Sequence, residues 1–228
     1  MKNKIGVSLG LLLATGAVHA ADQDFTSGRW YEGITIGIAD YDLNVTDAEK
    51  HLPFTDAAGN SLSTDTYHFD TSTMSGQLFG GYRFNRHFAL ELNVASLGTV
   101  HRDGTFNIPN GGNLTGTLVS ATRFKPTGVG LSVLGILPVS DSIDVFGRVG
   151  FFGWSIKAPF EIDSNGNRIA QDSPNDDGTD PFIGIGGNYH WSDFGVRLEY
   201  QRYTFGHPFN ATNDTDANMF NASFSYNF

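Results

Sequence analysis

Five ionisable residues are set among large apolar neighbours in short segments of alternating polarity: Arg83, Glu91, Arg148, Arg197 and Glu199. Side chains alternate between the two faces of a strand, so these charges share one face while the large apolar residues occupy the other. Charge enclosed in this way is tolerated only when it is paired, which predicts a network among the five, supported by the amides of Gln77, Asn93 and Gln201. Ion pairing that packs an interior is the simpler expectation for such a set, ahead of ion conduction through it.

Other chemistry finds less support. No Gly-x-Ser-x-Gly elbow occurs, and no Ser and His pair falls on one outward strand face, so no catalytic residue and no cofactor are expected. His51, His68, His101 and His207 lie on the long polar connections without ligand spacing and read as solvated. Asp163, Asp172, Asp176, Asp177 and Asp180 do not match an ordered calcium loop, so no metal site is expected and these read as a solvated acidic connection.

The elements that must position the five charges are strands. In Trp30 to Tyr41, Ile34, Ile36 and Ile38 alternate with Gly33, Thr35, Gly37 and Ala39, and in Phe88 to Leu97 the same alternation runs through Leu90, Leu92 and Val94. Six more segments follow suit: Thr73 to Phe84, Ala121 to Leu137, Ser142 to Ile156, Pro181 to His190, Phe194 to Phe205 and Ala217 to Phe228. Strands of about ten residues are long enough to cross hydrocarbon when tilted. The links between them alternate in length. Asn85-Arg86, Pro138 to Asp141 and Trp191 to Asp193 are short, whereas residues 42–72, 98–120, 157–180 and 206–216 are long and polar. A soluble sandwich could share the strand count, but its physics does not require that alternation. In lipid every backbone N–H and C=O must be paired within the protein, which leaves a closed barrel as the strand solution. The expected fold is therefore all-β: an eight-stranded antiparallel up-and-down transmembrane β-barrel.

Residues 1–20 read as a secretory leader, with Lys2 and Lys4 before the apolar run from Ile5 to Thr15, and Ala17-Val18-His19-Ala20 at the cleavage point. Residues 21–28 would form a short N-terminal segment and 29–228 the barrel. Of 14 basic and 24 acidic residues in the chain, the leader holds two lysines and no acid, so cleavage leaves a formal charge of -12 against -10 before it. A surplus of acid argues against nucleic-acid binding. The chain has no cysteine, so no disulfide stabilises it. Trp30, Tyr31, Tyr82, Phe84, Phe88, Tyr189 and Trp191 fall near strand ends beside the short turns, where a girdle at headgroup level is expected.

The stretch Gly80-Gly81-Tyr82-Arg83-Phe84-Asn85-Arg86-His87-Phe88-Ala89-Leu90-Glu91-Leu92 resembles the second hairpin of the outer membrane protein A transmembrane-domain family. Gly128 to Ser132, Leu137 to Asp141, Phe146 to Gly150 and Val196 to Tyr200 resemble its later strands and turns, and the similarity covers residues 29 to 228 apart from the long connections. Phe224, Tyr226 and Phe228 resemble the family's terminal signal for the barrel assembly machinery, which the resemblance implies as a partner during insertion. It also implies a gate-like cluster of inward Glu and Arg or Lys side chains, onto which Glu91, Glu199 and Arg148 fall. The family's Lys on the fourth strand and Arg on the eighth correspond to Leu134 and Asn227, a departure. The chain ends at Phe228 without the peptidoglycan-binding domain of larger relatives, so single-domain, opacity-type barrels are the nearer comparison.

The resemblance and the strand pattern together imply a bacterial outer-membrane protein in contact with lipid and lipopolysaccharide, with both termini periplasmic and four long acidic loops extracellular. The expected role is envelope integrity and surface interaction through loops whose ligand the sequence does not name. A small low-conductance porin is the alternative, and a lipid A-modifying enzyme a more distant one.

Overall fold

The computed structural model describes residues 28–42, 64–69, 71–108, 116–164, 167–206, 208 and 214–228. The leader expected at residues 1–20 and most of the segment after it lie outside the described residues, as do His51 and His207. In chain order the strands are β1 (Arg29–Asp42), β2 (Thr64–Phe69), β3 (Ser72–Arg83), β4 (Phe88–Ser96), β5 (Val100–Ile108), β6 (Gly116–Pro138), β7 (Ile143–Lys157), β8 (Phe160–Ser164), β9 (Asn167–Asp172), β10 (Asn175–Trp191), β11 (Phe194–Phe205) and β12 (Thr215–Asn227).

Eight of these close into a ring of antiparallel staves, in the order β1, β3, β4, β6, β7, β10, β11 and β12, with β12 pairing back onto β1. The seam is long and in register, from Tyr31 opposite Asn227 to Asp42 opposite Asp216. Closure satisfies the backbone of every stave on both sides and leaves the ring no edge. The short turns are locally encoded: Asn85 Oδ1 accepts from the backbone N–H of His87 at 2.8 Å and of Phe88 at 3.0 Å, folding β3 onto β4.

The other four strands correct the expectation of irregular connections. Residues 42–72, 98–120 and 157–180 contribute β2, β5, β8 and β9, which pair in the order β2, β5, β6, β8, β9 around the long upper half of β6. Threonine, valine and phenylalanine occur in these segments, and that β-forming content competes successfully with their polarity.

Parity divides the barrel into two surfaces. Ile34, Ile36, Ile38, Leu78, Val133, Val149, Phe151, Ile185, Leu198 and Phe220 point outward and are exposed. An apolar belt of this size is stable only against lipid. Ile36→Arg in the middle of the belt is expected to cost about 2–4 kcal/mol, and Ser96→Arg at its end about 0–1 kcal/mol. Urea titration of the protein refolded in bilayers measures both, and equal costs would remove the lipid-facing assignment of β1.

Candidate functional site

The interior is filled in layers. Nearest the short turns, Arg83 Nη1 donates to Asp144 Oδ2 at 2.9 Å, with His190 Nδ1 3.8 Å from the same oxygen and His190 Nε2 2.8 Å from the carbonyl of Asp141. Above it lies a small apolar cluster of Tyr31, Phe79, Ala89, Leu134 and Phe146, in which Phe79 stands opposite Asn93 on β4. Four charges are set among these rings. Arg148 Nη2 is 2.7 Å from Glu91 Oε1 and Arg148 Nε is 2.7 Å from Glu199 Oε1. Arg197 Nη1 donates to Glu91 Oε2 at 2.8 Å, and the Tyr31 hydroxyl donates to the same oxygen at 3.0 Å. The Arg197 guanidinium lies 4.8 Å from the Phe79 ring centre and 5.0 Å from that of Phe146, where cation–π attraction replaces part of its lost hydration.

Two positive and two negative side chains thus balance within one cluster. Such a cluster is stable only because each charge meets an opposite one at contact distance, since desolvation of an isolated member costs several kcal/mol. Glycine makes room for it. A Cβ on Gly184 would sit 2.7 Å from Glu199 Oε1, and one on Gly130 would collide with Asn93 in the layer beyond.

An amide layer comes next: Gln77 Nε2 donates to Gln201 Oε1 at 2.9 Å, and Asn93 Nδ2 donates to Gln77 Oε1 at 3.2 Å. The Tyr203 hydroxyl also donates to Gln201 Oε1, at 2.9 Å, which ties this layer to the aromatic one beyond. There the rings of Phe182 and Tyr203 stack with centres 4.8 Å apart, and Phe152 meets Tyr203 edge-on at 4.9 Å. Trp154 and Phe205 pack at 5.6 Å, while Tyr41, Leu97, Val100 and Met219 belong to the same buried cluster. Asp180 fixes its edge by accepting from Trp154 Nε1 at 2.7 Å and from the Gly206 backbone N–H at 2.9 Å.

Three placements differ from the sequence expectation. Arg83 does not join the other four charges: it sits at the short-turn rim and takes Asp144 as its partner, an acid on the same inward parity as Phe146 and Arg148. Applying the parity rule to β7 from its first residue would have found that acid. Tyr31 is not in the girdle but buried, because it shares the inward parity of Gly33 and Thr35. The remaining girdle residues face outward: Trp30, Phe84, Phe88, Tyr189 and Trp191 are exposed and Tyr82 half-buried, with Trp30 and Tyr82 centres 5.0 Å apart. Phe224 and Phe228 at the end of β12 are exposed and Tyr226 is half-buried. Asp180, expected to be solvated, is instead the acceptor that holds Trp154. Among the described residues no group of three or more His, Asp and Glu side chains is arranged to hold a metal ion.

Comparison with known proteins places this geometry. The profile of the outer membrane protein beta-barrel domain matches residues 8–228. Outer membrane protein A of Yersinia pseudotuberculosis serotype I (strain IP32953) is 26% identical over 201 residues, which covers 88% of this chain and 47% of that protein. Outer membrane protein A of Serratia marcescens is 26% identical over 201 residues, 87% of this chain and 48% of that one. The chain therefore spans about half the length of the curated relatives it matches. Among solved structures, that of Neisserial surface protein A is similar in fold, with a TM-score of 0.52 at 11% identity over 87% of this chain and 97% of that one. An exposed apolar belt, a closed ring of staves and a match across nearly the whole chain agree: the protein resides in the bacterial outer membrane and belongs to the outer membrane protein β-barrel domain family.

Proposed function

We propose that this barrel is a sealed anchor that contributes to envelope integrity and holds its long connections as a surface for interaction. One observation carries this reading: the charged cluster is packed among the rings of Phe79 and Phe146 and covered on its far side by those of Phe152, Phe182 and Tyr203. Hydrated ions would have to cross both, and an eight-stranded interior is only wide enough for side chains to fill. With an even number of staves both chain ends share a rim with the short turns, which favours termini in the periplasm and the long connections outside. Phe224, Tyr226 and Phe228 would then present the terminal aromatic signal to the assembly machinery.

Single-channel recording of the refolded protein in planar bilayers tests the seal. A folded barrel is expected to be silent. Discrete openings altered by Glu91→Gln or Arg148→Gln would overturn the sealed anchor in favour of a low-conductance porin. Incubation with lipid A is expected to release no fatty acid, and release abolished by replacing one Ser or His would instead make the protein an enzyme.

A further inference from the structure

On the outward face just beyond the apolar belt, Lys125 of β6 and Lys157 of β7 are direct cross-strand partners. Side chains at such positions stand about 4.5–5.5 Å apart at Cβ, and like charges there repel. Both are exposed, and neither enters an ion pair with a described residue. A third cation, Arg123, lies two residues further along β6 on the same face, opposite exposed His101. Asn175, opposite Lys157, accepts from Ser155 Oγ at 2.9 Å, so its Nδ2 remains as a donor beside the two ammonium groups. Among the acids near this face, Glu161 is already engaged, Asp177 is set opposite Ser155 rather than opposite either lysine, and Asp103 stands opposite Ala121, four residues along β6 from Lys125. In a chain of net charge -10, two opposed lysines with no ion pair to a described residue call for an anion.

The height of the cluster identifies that anion. Lys125 is four residues beyond outward-facing Val129, about 13 Å along the strand, and the staves of such barrels tilt. The ammonium groups therefore stand at headgroup level above the hydrocarbon. Directly beneath them an open trough crosses the outer face, lined by Leu78, Val94, Thr127, Val129, Gly153 and Ser155, where glycine and short side chains leave room for an acyl chain.

We infer that Lys125, Lys157 and Arg123 form a binding site for the phosphate of a phosphorylated lipid headgroup in the outer leaflet, whose acyl chain lies in the trough below. This assignment rests on the outward orientation of the long connections proposed above. Orientation is read separately: the chain has no cysteine, so Asn175→Cys in intact cells reports it through a membrane-impermeant maleimide. A protected thiol would overturn the orientation, whatever the purified protein binds.

The site itself is tested on the refolded full chain in zwitterionic micelles free of phosphate, with bisphosphorylated lipid A, phosphatidylcholine and inorganic pyrophosphate as probes, read by native mass spectrometry and heat-unfolding temperature. Without lipid A, Lys157→Gln is expected to unfold at a higher temperature than the parent, because the opposed charge is gone. With lipid A the order should invert. Lys125→Gln with Lys157→Gln should weaken lipid A binding about thirtyfold, from about fivefold for each cation near an anionic headgroup, while Arg86→Gln at the short-turn rim leaves it unchanged. Phosphatidylcholine should not bind. Equal lipid A binding by the double variant, or no inversion, would overturn the site, and pyrophosphate displacing lipid A at equal concentration would overturn the lipid as its occupant.

Discussion

Arg148→Met is expected to destabilise the folded barrel by about 3–5 kcal/mol, the largest loss from any single charge removal in this protein. Arg148 is the one cation in contact with both acids of the cluster, at 2.7 Å from each. Without it Glu91 keeps Arg197 and the Tyr31 hydroxyl, but Glu199 loses its ion pair. The cost is that of a buried, uncompensated carboxylate rather than the worth of one salt bridge. Two further variants separate these. Glu199→Gln added to Arg148→Met makes the cluster neutral again, with Arg197 against Glu91, and should recover the stability to within about 1–2 kcal/mol of the parent, since balanced buried pairs contribute little net. Arg83→Met removes a rim cation whose side chain is 16% exposed and should cost less, about 1–2 kcal/mol, because deleting that side chain opens the rim to water above the Asp144 carboxylate, itself only 4% exposed while Arg83 covers it. Urea unfolding followed by the heat-dependent gel mobility of the refolded protein measures all three. A double variant no more stable than Arg148→Met would mean that the charge balance is not what holds this layer.

The contrast between Arg148 and Arg83 also explains what could be read from the sequence. Strand parity is strictly periodic, so Glu91, Arg148, Arg197 and Glu199 could be assigned to one surface from their apolar neighbours alone, and the closed ring followed from strand length and the alternation of short and long links. Parity says which face a side chain occupies, but not its height in the barrel, which is set by the stagger of the staves. Arg83 shares the inward face with Gln77 yet belongs to the rim, where Asp144 and His190 wait, and only the register places it there. Tyr31 differs for another reason: it stands near a strand end, as girdle residues do, yet its parity is that of buried Thr35. The sheet formed by β2, β5, β8 and β9 was hidden because strands in water carry polar residues on both faces, so the alternation that marks a lipid-facing stave is missing. The basic pair Lys125 and Lys157 was equally invisible, since 32 positions separate two residues that the hairpin sets side by side.

Tyr203→Ala should open the outer layer of the lumen without making a pore. Its ring is the shared contact of Phe152 and Phe182, so truncation leaves a void in the middle of the plug and is expected to cost about 3–5 kcal/mol. Arg197 still lies against Phe79 and Phe146 below, and that layer continues to block ions. A thiol placed between the layers distinguishes an open plug from a mere loss of stability. Gln201 is buried at 2% exposure directly under the Tyr203 hydroxyl, and the native chain contributes no other cysteine to react. Gln201→Cys should be inert to a small charged thiol reagent in an otherwise unaltered barrel and should react when Tyr203→Ala is added, with both forms silent in planar bilayers. Conductance should follow only when the second apolar layer is opened as well, by Phe79→Ala with Phe146→Ala, because two seals in series must both fail before an ion passes. Conductance from Tyr203→Ala alone would instead make the aromatic layer the sole barrier and the charged cluster a conducting path, restoring the porin reading with Tyr203 as its gate.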